Sequence, residues 1–446
     1  MLLQHFIAHV VNRLYLESYV SGSISKIFLD FEEKLNNFET IKLYFNDSNN
    51  LTDLTNNSIN FTPGQERNLP SSRFDIEKEV IMLSIIYDIL VKSEHLLEDV
   101  TLLDLEWENT NKIFDQFTSL MSKFETVLNK KLHELVSLSR NDNWVLKRDS
   151  SFSASDKKPS VIAISANLVK DDRYFKTFYE DFSTLVHKNT SFETSFRIEE
   201  WFESERLLLK ILRPFSSNYF IQISHFDQIA LLADSIFWFS RKLSEASYRL
   251  ITPLQDRVLT ICKDILSISA QLMLTLRLEV KLRVLSYFDP SKRLDSEQGT
   301  LSYLVSTIEE ISNQMPKETA HIIFWGFGYY LRFSFLEYIN NISIFPTISE
   351  KQVIEFGNQV MLLGSILRNV EPDFVKEIDK LAFFCEFMCI CLKNPDSILK
   401  HAKETNKLTY FEYSVLLNVA HRNLGWSEEN TGLFKSHIKE MESIFE

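Results

Sequence analysis

Between Gly64 and Gly299 the chain has no glycine, a run of 234 residues in a sequence of 446. Glycine supplies most left-handed turns and helix C-caps, and it lets a backbone approach a phosphate closely. A chain that does without it for so long has few tight turns and is expected to run helix after helix. The same lack points away from nucleotide-binding loops. Nine glycines stand against 36 phenylalanines, and 45% of the residues are apolar, enough for packed cores. The expected fold class is all-α, an elongated stack of helical bundles.

The net charge of −13 argues against general nucleic-acid binding, which needs a basic face. The densest basic spots are the pairs Lys130–Lys131, Lys157–Lys158 and Lys292–Arg293. None forms a polybasic membrane patch. No stretch reaches 18 uncharged apolar residues, since Glu386 and Arg332 interrupt the longest runs, so no transmembrane helix is expected. The first residues hold Leu3, Phe6, Ile7, Val10 and Leu14 at helical spacing, mixed with His5, His9 and Arg13. That reads as an amphipathic helix rather than a secretion signal. The expected location is the cytoplasm. Cys262, Cys385, Cys389 and Cys391 are then expected to be buried free thiols, because no second set of ligands stands at zinc spacing.

Along the chain, two stretches read as breaks. Residues 46–73 are rich in asparagine and hold Pro63, Gly64 and Pro70, as in a mobile loop. Residues 140–160 are polar and rich in Ser and Lys, as in a linker. The expected organisation is an N-terminal bundle over 1–139, a middle bundle over 161–290 and a C-terminal bundle over 300–446. In the first, Phe74 to Ser139 lacks Gly and Pro and is expected to be a pair of long helices broken near Asp99–Glu106. Ile113, Phe117, Leu120, Phe124, Val127, Leu128 and Leu132 make one apolar stripe there. Further helices are expected at 161–186, 192–212, 223–250, 254–288, 318–340, 349–368, 374–392, 409–422 and 428–445, cut by prolines. Ser349 with Gln352 fits a capping box, and Ser427 an N-cap. Residues 276–284 read L-R-L-E-V-K-L-R-V, the alternation of a strand. With 35 residues free of breakers and no sheet to join, helix is the better reading. Its charged positions are expected to form solvated edges.

The usual enzyme signatures are missing: no phosphate loop, no dinucleotide fingerprint, no H-E-x-x-H and no G-x-S-x-G. Gly326-Phe327-Gly328 is expected to let helices approach closely, with Phe324, Trp325 and Tyr329 around it. His421-Arg422 is expected to make a structural polar contact. No catalytic, cofactor-binding or metal-ligating residue is expected, and no cofactor.

Three segments carry a specific likeness. Residues 270–283 (AQLMLTLRLEVKLR) resemble the L-x-L-H-L-E-V-R helix of exocyst complex component four, the Sec-eight subunit. Ile323 to Gly328 (IFWGFG) is similar to that family's I-F-E-G-L-G segment. Leu408 to Tyr413, followed by Leu416-Leu417 and His421-Arg422, resembles its Y-T-E-L-E-Y…L-L-H-R. The three keep the family's order, and Lys281 and Trp325 depart from its pattern. The resemblance implies a C-terminal portion of a helical-rod subunit of a vesicle tether. It implies partners among the other exocyst subunits, indirect links to SNARE or small-GTPase regulators, and peripheral membrane association through the complex. It carries over no catalytic residue. A general helical adaptor that binds peptide or helix partners is the other reading of such a chain.

Overall fold

The computed structural model describes residues 31, 33–46, 77–102, 107–139, 221, 225–288, 301–314, 317–341, 347–368, 372–405 and 407–445. Their order is β1 (Thr40–Asn46), β2 (Glu77–Leu83), α1 (Ser84–Leu102), α2 (Trp107–Ser139), α3 (Phe226–Ser247) and α4 (Thr252–Tyr287). Then come α5 (Leu301–Gln314), α6 (Lys317–Phe324), α7 (Phe327–Asn340), α8 (Glu350–Leu367), α9 (Pro372–Cys391), α10 (Asp396–Thr405), α11 (Tyr410–Leu424) and α12 (Glu428–Phe445). The fold is all-α apart from one two-stranded ribbon. Among the described residues with positive φ are Phe38, Gly326 and Gly425, and none lies in the glycine-free run. The expected N-terminal helix, most of the 46–73 loop, the 140–160 linker and the helices at 161–186 and 192–212 lie outside the described residues.

The ribbon corrects the start of the expected helix pair. β1 and β2 are antiparallel, with Ile41 opposite Met82 and Leu43 opposite Val80. A lone ribbon is marginal in water unless one face is backed. Val80 and Met82 are buried, and the neighbouring Ile81 is exposed, the alternation of a half-buried strand. The Leu83 N–H donates to Ser235 Oγ at 2.9 Å, which anchors the ribbon end on α3.

The chain divides into two compact units, residues 1–127 with 234–266, and residues 128–233 with 267–446. In the first, the predicted stripe on α2 faces inward: Ile113, Phe117, Leu120 and Phe124 are buried. Phe124 lies between Phe31 and Phe239, each with ring centroids 5.1 Å away. Ser240 Oγ donates to the Cys262 carbonyl at 2.8 Å, joining α3 to α4. On the surface of this unit Glu94 sits among Lys242, Glu245, Glu98 and Arg249. Burial, helped by Glu245 and Glu98, raises its carboxyl to about 7.

In the second unit the aromatic content finds its use. Phe335 stacks on Phe356 at 4.2 Å and meets Phe384 edge-on at 6.3 Å. Phe288 packs against Phe335 and Tyr338 at 6.1 and 5.5 Å. The expected helix over 318–340 is two helices. Gly326, at φ 69°, ends α6 and opens α7, a left-handed conformation that a side chain disfavours. So Gly326 serves a turn, while Phe324 and Trp325 are buried beside it as expected. The alternating segment 276–284 is helical, within α4. Its edges are not solvated: Arg277, Glu279 and Lys281 are each 0% exposed.

α4 is, among the described residues, the helix long and apolar enough to cross a membrane by length and composition, and 61% of its apolar window is buried. Cys262, Cys385 and Cys391 are buried free thiols, and Cys389 is half-buried. Burial lifts Cys262 to about 12 and Cys391 to about 11, so both stay protonated and unreactive near neutrality.

α8 and α9 run antiparallel and touch at two glycines. A Cβ on Gly357 would meet Cys385 Cβ at 3.4 Å, whereas one on Gly364 would meet Ile378 Cγ2 at 2.7 Å. Ile378 is β-branched and stiff in a helix, so it cannot yield cheaply. Gly364→Ala is therefore expected to destabilise the protein by about 1–3 kcal/mol through overpacking. Gly357→Ala should stabilise it by about 0.5–1 kcal/mol through helix propensity. Urea midpoints of the two variants, moving in opposite directions, check this. A second expectation concerns pH. The folded state holds Glu94 protonated more tightly than the unfolded chain does, so its share of stability is full below pH 4.5 and is lost as pH rises through 7. Glu94→Gln should be more stable than the parent above pH 7, by about 1–2 kcal/mol after discount for solvent screening, and equal to it near pH 4. Denaturation at the two pH values reads the difference.

Candidate functional site

Three buried arginines organise the second unit, and each reaches a distant stretch of chain. Arg277 on α4 donates through Nη1 to the carbonyls of Ile322, at 3.0 Å, and Trp325, at 2.7 Å. Those carbonyls lie at the C-terminal end of α6, where helical hydrogen bonding runs out and the helix dipole is negative. The guanidinium also lies 5.2 Å from the Trp325 ring. Two residues on, Glu279 Oε1 accepts from the Ile221 N–H at 2.8 Å and lies 3.6 Å from Arg283. Lys281 places its ammonium 5.4 Å from the Tyr330 ring.

Arg332 on α7 lies between two carboxylates. Its Nε donates to Glu412 Oε1 on α11 at 2.7 Å, and its Nη1 to Glu377 Oε2 on α9. Glu412 is itself fixed by a capping box. Its Oε2 accepts from the Thr409 N–H at 2.8 Å, while Thr409 Oγ1 accepts from the Glu412 N–H at 3.3 Å. Both carboxylates raise the guanidinium against the cost of its burial, so the charge is compensated in place. Arg422 on α11 returns the link by donating to the Ile339 carbonyl at the end of α7.

His421 is fully buried, as a structural contact requires. Its Nδ1 meets Asn430 Oδ1 and its Nε2 lies 3.1 Å from His437 Nδ1. His437 Nε2 lies 3.2 Å from Asp396 Oδ1. These rings are engaged with one another, and no group of three or more metal-ligating side chains gathers among the described residues. A catalytic constellation needs a nucleophile or base facing free space. The strongest polar clusters of this unit instead turn inward.

What the surface offers is apolar. On α8, Ile354, Met361 and Leu362 are 50–58% exposed, at positions i, i+7 and i+8 of one face. On the adjacent α9, Ile390 is 68% exposed. Single exposed apolar residues are ordinary, whereas a run along one helix face marks a surface suited to a helical or extended partner.

The three segments picked out in the sequence thus lie together in one interior. The first, on α4, grips the second at the α6 end. The α7 helix that follows the second segment holds the third through Arg332 and Glu412. The roles of Arg277 and Arg332 escaped sequence reasoning, because a lone arginine in an apolar helix does not name its partner. Thr409 with Glu412 does carry a readable signal, the T-x-x-E capping pattern. No family model matches the chain, and no curated protein matches it.

Arg277→Ala leaves two helix-end carbonyls without their donor and a void above Trp325. It should cost about 3–5 kcal/mol. Arg277→Lys keeps the charge but loses the planar fork, and should cost less, about 1–3 kcal/mol. Chemical denaturation followed by circular dichroism ranks the two against the parent.

Proposed function

We propose that this chain is a non-catalytic helical subunit of the exocyst. In this reading it helps hold secretory vesicles at the plasma membrane before SNARE-mediated fusion, working through protein–protein contact. It acts in the cytoplasm, is recruited to sites of secretion, and meets membranes through the assembly. Its partners are the other exocyst subunits, with SNARE and small-GTPase regulators reached indirectly. The supporting observation is the joint packing of the three resembling segments, linked by Arg277 and by Arg332 with Glu412. Residues 270–283, 323–328 and 408–422 keep the family's order in sequence and share one core. The alternative, a general helical adaptor, draws support from the apolar face of α8. Both readings place the work on surfaces rather than in a reaction site.

Tagged full-length chain captured from its own cells separates them. Recovery of several exocyst subunits is expected. Recovery of helical partners without any exocyst subunit, from a folded chain, would overturn the tether and favour the adaptor. Ile354→Glu combined with Met361→Glu adds charge to the exposed face only. It should leave the helical content and thermal midpoint nearly unchanged and reduce partner recovery at least several-fold.

A further inference from the structure

α8 has two unlike sides. Val353, Val360, Leu363 and Leu367 are buried, and Gly357 and Gly364 press against α9. The opposite side is exposed, yet it carries Ile354, Met361 and Leu362. A surface helix ordinarily keeps polar residues there. Three large apolar groups on one exposed face mark a contact that a single copy of the chain does not make.

The charges at the two ends say what fits. Glu350 and Arg368 are both exposed, and among the described residues neither forms an ion pair within the chain. Arg368, the C-cap, keeps helical angles of φ −55° and ψ −35°. The two stand 18 positions apart, which is five turns, so they lie on the same side of the helix and about 27 Å from each other. Ile354 follows Glu350 by one turn, and Met361 precedes Arg368 by two. The stripe therefore reads acid, apolar, apolar, base.

Such a stripe is its own complement when turned end for end. A two-fold axis crossing α8 beside Gln359, the midpoint, sets Glu350 against Arg368 of a second copy, and does so twice. The same register brings Ile354 within a turn of Met361 of the second copy. A parallel pairing would instead set Glu350 beside Glu350 and Arg368 beside Arg368. The other charges of the exposed face, Lys351 and Glu355, are opposite in sign and one turn apart, so they add no net charge.

We propose that two copies of this chain associate through α8, antiparallel about a two-fold axis, with Ile354 and Met361 at the centre and Glu350–Arg368 pairs at both ends. One helix face is smaller than a permanent interface, so the dimer is reversible, with a dissociation constant on the order of 1–100 μM. This goes beyond the tether reading and does not rest on it, since the purified chain alone shows it. A dimer of this kind closes the face to any other partner, and its dissociation frees it.

Sedimentation equilibrium of the purified full chain, from about 1 to 200 μM, tests this. A monomer–dimer equilibrium is expected. Ile354→Glu combined with Met361→Glu should weaken it at least about tenfold, because carboxylates would be buried against apolar groups. Glu350→Arg and Arg368→Glu should each weaken it roughly 5–20-fold, as either change acts twice per dimer. Mixed in equal amounts, these two variants should pair with each other about as well as the parent does with itself, because each supplies the charge the other lacks. A folding defect would not be repaired by mixing. A chain that stays monomeric throughout overturns the proposal. So does a dimer untouched by the paired glutamates, or a mixture that associates no better than either variant alone. A monomeric chain that still recovers other proteins through this face gives the face to a different partner, and also overturns self-pairing.

Discussion

The second unit depends on one guanidinium placed where water cannot reach it. Arg277 comes from the middle of an apolar helix, so its charge must find acceptors inside the protein. It finds the Ile322 and Trp325 carbonyls, which are available only because α6 stops there. α6 stops because Gly326 takes a left-handed turn. The buried cation and the glycine turn are thus two halves of one device. A continuous helix through 317–340 would use those carbonyls internally and leave Arg277 stranded.

From that point the same solution recurs. α7 leaves Gly326 and carries Arg332 to Glu412, whose other oxygen caps the start of α11. α11 sends Arg422 back to the Ile339 carbonyl in the last turn of α7. Each buried arginine joins segments 45 or more positions apart in sequence. Apolar packing would accept many registers between smooth helices, while a guanidinium that needs particular acceptors accepts few. Buried pairs of this kind add modest net stability compared with well-packed apolar replacements. Their main effect is to fix which helix end meets which.

How much of this could be read beforehand depended on whether the cause was local. The glycine-free run foretold helices because positive φ is a property of single residues, and none of the described residues in the run has it. The capping box at Ser349 was readable for the same reason, since Gln352 lies three positions away. The α2 stripe was readable from its period. Three features were not. The β2 strand lies next to a helix in sequence and owes its form to β1, more than thirty residues earlier. The charges of α4 look solvent-facing in the sequence, because sequence gives the angle around a helix but not what covers it. The break at Gly326 looks like close packing in the sequence, since Gly-Phe-Gly suits either use until Arg277 supplies the acceptor-seeking charge.

The same distinction bears on what the resemblance can mean. The matching residues that can be placed, such as Leu278, Ile323, Tyr413 and Leu417, are core residues. Core positions answer to packing, so a likeness carried by them speaks first to how the helices are assembled. Partner choice is set by surface positions such as Ile354, Met361 and Ile390, which lie outside the three segments. Two proteins can therefore share this interior and differ in what they bind.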